Sequence, residues 1–308
     1  MLRLTRTPAP SEGTGMASDS DKAAPAADSA PATAAAEVPP EKKQEKESVW
    51  SFLRFLLVLG VITLLVRSLL FAPFSIPSGS MLPNLMIGDY LFVSKWPYGY
   101  SRYSFPFGIA QFDGRVMGAL PERGDIAVFR YPGPRNEDFV KRVIGLPGDT
   151  IELRGGATIL NGQQVQRQAA GQFVVPVSEN SPCSPYPGSA ARLITTEDGP
   201  ACSYPLVRET LPGGRSFDTI DQFPASEGDN VAPFTVPEGH VFVMGDNRDD
   251  SLDGRFAVAR GGVGLLPLEN LQGRALFSFW STDGSAEWLL PWTWFTAARW
   301  DRIGMTYP

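Results

Sequence analysis

The sequence predicts a mainly β protein: an antiparallel β-sheet body with an inserted β-rich subdomain, preceded by one N-terminal transmembrane helix. Three observations predict it. A single long apolar run, WSFLRFLLVLGVITLLVRSLLFAPFSIP from Trp50 to Pro77, stands apart from the rest of the 308 residues. After it come short β-type runs separated by Gly, Pro, Asp and Asn turns, without alternating helical segments. The 31 glycines and 28 prolines favour turns over long helices.

In chain order, Met1 to Ser48 is rich in Ala, Pro, Ser, Glu and Lys and poor in large apolar side chains. Such a segment cannot bury enough surface to offset its ordering entropy, so residues 1–48 are expected to be a disordered tail. Residues 49–72 read as a membrane anchor. The charge-free run Phe55 to Val66 is only 12 residues, short of the roughly 20 that a bilayer needs. The anchor therefore needs Arg54 and Arg67 at its ends, where long stems carry the guanidinium heads to the interface and extend the span to about Val49 to Phe71. Ala72 is followed by Pro73 rather than by a small-residue cleavage pattern, which favours an uncleaved anchor over a removed signal segment. Lys42, Lys43, Lys46 and Arg54 lie on the anchor's N-terminal side, and the next lysine on the other side is Lys95. That bias puts the N-terminus in the cytoplasm and everything after Phe74 outside.

The expected strands are Tyr90 to Ser94, Ile126 to Arg130, Phe139 to Ile144, Thr150 to Leu153, Phe173 to Val177, His240 to Met244 and Arg274 to Phe279. Residues 73–153 and 236–308 form the expected core. The polar, turn-rich stretch 154–235 interrupts them as an inserted subdomain. Near the C-terminus, Glu287-Trp-Leu-Leu-Pro-Trp-Thr-Trp-Phe295 suits either a packed terminal helix or a membrane-interface segment.

Composition narrows the function. A formal charge of −6 argues against nucleic acid as a partner. One histidine and two cysteines offer too few soft ligands for a zinc site, so no metal is expected, and no organic cofactor is implied. Outside the cytosol, Cys183 and Cys202 can close one disulfide across a Pro/Gly-rich loop; two unpaired thiols are the alternative.

Two residues invite a catalytic reading. In Ser78-Gly79-Ser80-Met81 a glycine between serines allows a sharp bend and close approach of a carbonyl. Ser80 is the better-placed nucleophile, with its own amide and the Ser78 hydroxyl as donors to an oxyanion. Lys141, in Phe139-Val140-Lys141-Arg142-Val143-Ile144, shares the apolar strand face of Phe139 and Val143. Desolvation there depresses a lysine pKa, as a general base requires. Taken singly, each also fits a blander role, a turn serine and a sheet-edge lysine. The third cluster, Met244-Gly-Asp-Asn-Arg-Asp-Asp-Ser-Leu-Asp-Gly-Arg255, reads as a loop fixed by a carboxylate–arginine network or as a solvated loop; it lacks the Gly and Glu offsets of an EF-hand. His240, the lone histidine, fits a turn or strand edge.

Together these segments resemble the bacterial type I signal peptidases, membrane-anchored Ser-Lys serine endopeptidases that remove signal peptides from exported proteins. The resemblance covers the anchor, PSGSMLPNLMIGDYLFVSK (Pro77 to Lys95), RGDIAVFRYP (Arg123 to Pro132), DFVKRVIGLPGDTIEL (Asp138 to Leu153) and GDNRDDSLDGR (Gly245 to Arg255), in the family's order. It implies Ser80 as nucleophile, Lys141 as general base, and Ser78 with the Ser80 amide as oxyanion hole. It also implies that Ser251 orients the lysine by a hydrogen bond, that Asp253 and Arg255 form a supporting ion pair, and that Asp246 partners Arg142. Phe74, Ile76, Met81, Leu85 and Val140 match the neighbourhoods of the family's shallow apolar pockets, which accept small residues of the Ala-x-Ala type. The sequence departs from the pattern at Gly254 and at Phe256 to Gly262, where the family commonly has Ser and Trp-Gly. Signal peptides of exported preproteins and the lipid bilayer are the implied partners. The implied location is the bacterial cytoplasmic (inner) membrane, single-pass, with the catalytic domain on the outer, periplasmic side. A dedicated Ser-Lys processing peptidase of a secretion or pilus system shares the same site, and an inactive β-rich binding ectodomain is the alternative of a different class.

Overall fold

A computed structural model describes residues 49–183, 185–287 and 289–307; the tail expected over residues 1–48 lies outside them. The chain begins there with helix α1 (Val49–Leu69), long and apolar enough to cross a membrane. Its side chains are exposed along its length except at Ser68, which is buried, and Leu69, which is partly buried. The helix ends earlier than the expected anchor. Pro73 cannot continue it, and strand β1 (Phe71–Ser75) takes over, with Phe71 packed edge-on against Trp96 at 4.8 Å.

β2 (Asp89–Ser94), β3 (Ile126–Arg130) and β4 (Asp138–Gly145) follow. β5 (Thr150–Arg154), β6 (Ala157–Leu160), β7 (Gln163–Gln164), β8 (Gln166–Pro176), β9 (Arg192–Thr196), β10 (Gly199–Thr210), β11 (Ser216–Ile220) and β12 (Val231–Thr235) come next. The chain then returns through β13 (His240–Met244), β14 (Leu266–Pro267) and β15 (Leu271–Ser281), and closes with helix α2 (Pro291–Ala297). The fold is mainly β, as the turn-punctuated sequence predicts.

The main body is a seven-stranded antiparallel sheet in the order β1-β2-β15-β3-β4-β13-β14. Residues 150–235 add two four-stranded sheets, one built of β12-β5-β6-β7 and one of β11-β10-β8 with β9 on β10. The alternation of side chains splits the core by face. Ile76, Met81, Leu85, Val128 and Val140 pack together, and Ala127, Phe129, Val143 and Val243 form a second cluster. A third cluster joins Ile144, Phe242 and Met244 to Ile151, Leu160 and Phe217 of the added sheets.

The seven expected strands all exist, most within a residue or two of their expected ends. The long hairpin of β8 and β10 was foreseen only as Phe173 to Val177. Gly171 and Pro205 break its sequence pattern, and the structure absorbs them as an irregularity in register between Pro205 and Val207. In the C-terminal segment Trp292 is 65% and Trp294 42% exposed, so these rings are not core packing.

Candidate active site

Ser80 sits in the turn that leaves β1, where Leu82 N–H donates to the Gly79 carbonyl (3.1 Å) and Leu85 N–H to the Met81 carbonyl (2.9 Å). β4 brings Lys141 to it. Lys141 Nζ lies 2.6 Å from Ser80 Oγ, donates to the Val140 carbonyl at 3.1 Å, and stands 5.6 Å from the centre of the Phe139 ring. Both side chains are buried, Ser80 at 8% and Lys141 at 4% exposure. Burial pushes the Lys141 ammonium down to about 8, with Asp253 and Asp246 opposing and Arg255 adding to the shift.

The loop after β13 holds the Ser80 turn in place. Asn247 N–H donates to the Ser80 carbonyl and its side-chain amide to the Gly79 carbonyl, both at 3.1 Å. Gly245 is required here: a Cβ would collide with Ser251 Oγ and come within 2.6 Å of the Ser80 carbonyl. Ser251 is buried beside this glycine, but its Oγ has no hydrogen-bond partner among the described residues. The hydrogen bond to lysine that the resemblance implies is therefore not formed. Ser78 is exposed and lines, with Gly79 and Ser80, a cavity of about 310 Å³ that extends toward Tyr186, Tyr204 and Asp250.

Buried ion pairs fix the loop. Asp253 accepts from Gly245 N–H (2.9 Å) and from Arg255 Nε and Nη2 (2.9 Å each). Burial works against its charge, yet the Arg255 guanidinium and the amide donors outweigh it and hold the carboxyl below the usual range. Arg142 Nε and Nη2 grip Asp246 bidentately at 2.7 Å, and Asn84 adds a third donor at 2.7 Å. The Arg142 guanidinium lies 4.1 Å from the Phe217 ring centre.

Sequence reasoning missed two contributors. Asn247 stands inside the Gly245 to Arg255 segment, and its amide was unassigned. Glu209, on β10, forms a bidentate pair with Arg248 at 2.7 and 2.6 Å, with both side chains buried. The available signal was Arg248 itself, an arginine with no assigned partner in its own segment. Of the five pocket residues, Ile76, Met81, Leu85 and Val140 share one buried cluster, with Phe74 packed on it. Met81 and Leu85 are fully buried, so they form its floor and not its lip. Cys183 and Cys202 are bonded to each other (S–S 2.01 Å) and pack with Met86 and Leu82, just past the Ser80 turn. No group of His, Cys, Asp and Glu suited to a metal ion occurs among the described residues.

Comparison with known proteins gives the class. The family model described as "Signal peptidase, peptidase S26" matches residues 49–280, and the chain belongs to this family of serine endopeptidases. Among its relatives it is similar to the signal peptidase I of Rickettsia akari (37% identity, covering 72% of this chain and 76% of that one) and of Rickettsia typhi (36%, covering 78% and 83%). A crystal structure of a signal peptidase I from Enterococcus faecalis aligns at 25% identity over 51% of this chain and 97% of that chain, with a TM-score of 0.25.

Proposed function

We propose that this signal-peptide-cleaving peptidase works by a Ser-Lys dyad on preproteins cut after small residues. Neutral Lys141 takes the Ser80 hydroxyl proton as Oγ attacks the scissile carbonyl, returns it to the leaving amine, and then activates the water that hydrolyses the acyl-enzyme. Ser80 N–H and Ser78 Oγ donate to the oxyanion. The pairs Asp253–Arg255 and Arg142–Asp246 keep the loop that holds the Ser80 turn rigid. Ser251, buried next to Gly245, excludes water from behind the dyad. The single observation that carries the reading is the 2.6 Å contact between a buried hydroxyl and a buried amine whose pKa is pushed down to about 8.

The substrate adds as a strand. β1 pairs only with β2, and Asp138 to Lys141 of β4 pair only with β3, since β13 meets β4 from Arg142 onward. Two free edges are thus available beside the dyad. The shallow apolar floor under Phe74, Ile76 and Val140 limits side chains there to small ones by steric exclusion. α1 spans the inner membrane with the N-terminus in the cytoplasm and the catalytic body on the periplasmic side, and residues 154–235 form the inserted subdomain. The 21 residues of α1 reach about 32 Å at ~1.5 Å per residue, close to the ~30 Å hydrocarbon thickness.

The test is cleavage of a preprotein bearing an Ala-x-Ala site by the full chain in detergent, beside Ser80→Ala. The parent is expected to release the mature chain with its N-terminus directly after the second alanine; Ser80→Ala is expected to give no product above background. An active Ser80→Ala variant, or an inactive parent that is folded, overturns the reading. The pH dependence gives an independent check. Because the neutral amine is the active form, kcat/KM is expected to rise with pH through an apparent pKa near 8, far under the roughly 10.4 of a free lysine. A flat profile between pH 6.5 and 9 contradicts Lys141 as the base.

A further inference from the structure

A cavity larger than the one beside Ser80 lies elsewhere on the molecule. It measures about 590 Å³ and lies where α1 gives way to β1, lined among others by Arg67, Lys95, Arg102, Phe105, Arg130 and Asp138. Four cations face one carboxylate in a chain whose formal charge is −6. Local partners offset this only in part. Arg130 pairs with Asp138 (3.0 Å), and Arg102 reaches Asp113 and Glu269 at 3.4 and 3.3 Å from a half-exposed position, where such pairs are weak. Arg67 is exposed and makes no ion pair among the described residues. Lys95 is buried and donates to the Ser104 carbonyl at 2.7 Å, which engages one of its three donors. Burial pushes its ammonium down to about 8 against the pull of Asp138, and Arg67 and Arg130 push the same way. The cavity is a concentration of positive charge that the protein itself does not neutralise.

Its depth identifies the anion. Arg67 is two residues before the end of α1, so with α1 across the bilayer the cavity opens at the level of the lipid phosphates. We propose that this cavity binds the phosphodiester headgroup of an anionic phospholipid, with Arg67 and Arg102 as its outer donors and Lys95 at its inner end. The inference rests on the reading of α1 as a membrane span. A bound headgroup would tie the end of α1 to the 102–111 segment and so set the height of the β1 edge above the membrane. The chemistry is shared with free phosphate, but bulk phosphate lacks the two-dimensional concentration of a lipid at this depth.

The experiment titrates the full chain in an uncharged detergent with short-chain phosphatidylglycerol, phosphatidylcholine of the same chain length, and inorganic phosphate, reading the unfolding temperature. Phosphatidylglycerol is expected to raise it saturably, phosphatidylcholine to leave it unchanged, and phosphate to act only at concentrations at least tenfold higher. Arg67→Gln combined with Arg102→Gln is expected to weaken the phosphatidylglycerol response at least tenfold, with cleavage of a soluble peptide in lipid-free detergent unchanged; Arg67→Lys is expected to retain it. Equal responses to the two lipids, or a double variant that responds like the parent, overturn the proposal. Phosphate as potent as phosphatidylglycerol assigns the cavity to a free anion instead. A double variant that loses peptide cleavage in lipid-free detergent assigns it to the substrate path, which also overturns it. Flotation with vesicles at alkaline pH separates the two readings: a chain that does not float contradicts α1 as a span, while one that floats but ignores phosphatidylglycerol contradicts the headgroup site alone.

Discussion

Lys141→Met is expected to lower kcat for preprotein cleavage by about 10³-fold or more while leaving the chain folded and no less stable. The rate loss follows from the proposed role. Removing a positioned general base typically costs ~10²–10⁴, and among the described residues Lys141 is the side chain hydrogen-bonded to the Ser80 hydroxyl, while the sole histidine, His240, lies on β13 with its ring nitrogen on the Glu238 carbonyl (3.1 Å). The stability half follows from burial. Methionine keeps the apolar stem and removes an ammonium that the fold holds at about 8, below its free value. A lysine depressed in this way binds fewer protons when folded than when unfolded between about pH 8 and 10.4, so the penalty it imposes is full below about pH 8 and is relieved as pH rises across that window. The parent is therefore expected to gain stability relative to Lys141→Met as pH is raised from 8 to 10. Single-turnover cleavage and chemical unfolding at several pH values measure both halves. A variant that cleaves within tenfold of the parent removes Lys141 from the chemistry. One that loses activity together with the folded state reports a structural residue only.

The elements that were legible in sequence are those whose pattern is local. β3 and β13 matched their expected limits because each is a short apolar run closed by Gly, Pro or Asp. The face shared by Phe139, Lys141 and Val143 was legible because strand periodicity depends on no partner. β1 was not, since Phe71 to Ser75 is as apolar as the helix before it and only Pro73 marks the change. β10 was hidden by its own Pro200 and Pro205, which a lone strand cannot hold and a bulged hairpin can. At the site, Ser80 and Lys141 were weak singly and gained force from the four segments that occur in the family's order. What no local pattern carries is pairing across long sequence separation. Glu209 is 39 residues from Arg248, and nothing in β10 distinguishes it from the other charges of a polar hairpin. Ser251 shows the opposite failure: the resemblance gave it a partner, and its buried hydroxyl has none among the described residues.

Glu209→Leu is expected to destabilise the chain by about 3–5 kcal/mol and to cost activity with it. Arg248 Nη1 and Nη2 meet both Glu209 oxygens, and Arg248 Nε donates to the Gly245 carbonyl at 3.2 Å. Burial disfavours the guanidinium charge, but Glu209 outweighs it and raises the pKa above the usual arginine value. Removing only the carboxylate leaves a buried cation without its hydrogen-bonded partner, with only the charges of Asp246 and Asp253 to offset it, and breaking a buried pair in this way costs ~3–5 kcal/mol. The cation would then draw water between β10 and the loop that holds Ser80 through Asn247, so the dyad loses its geometry as the loop loosens. Glu209→Leu with Arg248→Met removes both charges at similar volume, and such replacements are often neutral for stability. The double variant is therefore expected to recover most of the unfolding free energy. If it also recovers cleavage, the pair serves only to hold the loop; if it regains stability while kcat stays low, the hydrogen bond of Arg248 to the Gly245 carbonyl positions the loop in its own right. Denaturant unfolding and cleavage of the same preprotein measure both, and a Glu209→Leu variant that loses less than about 1 kcal/mol would mean that the insert and the catalytic loop are not coupled through this pair.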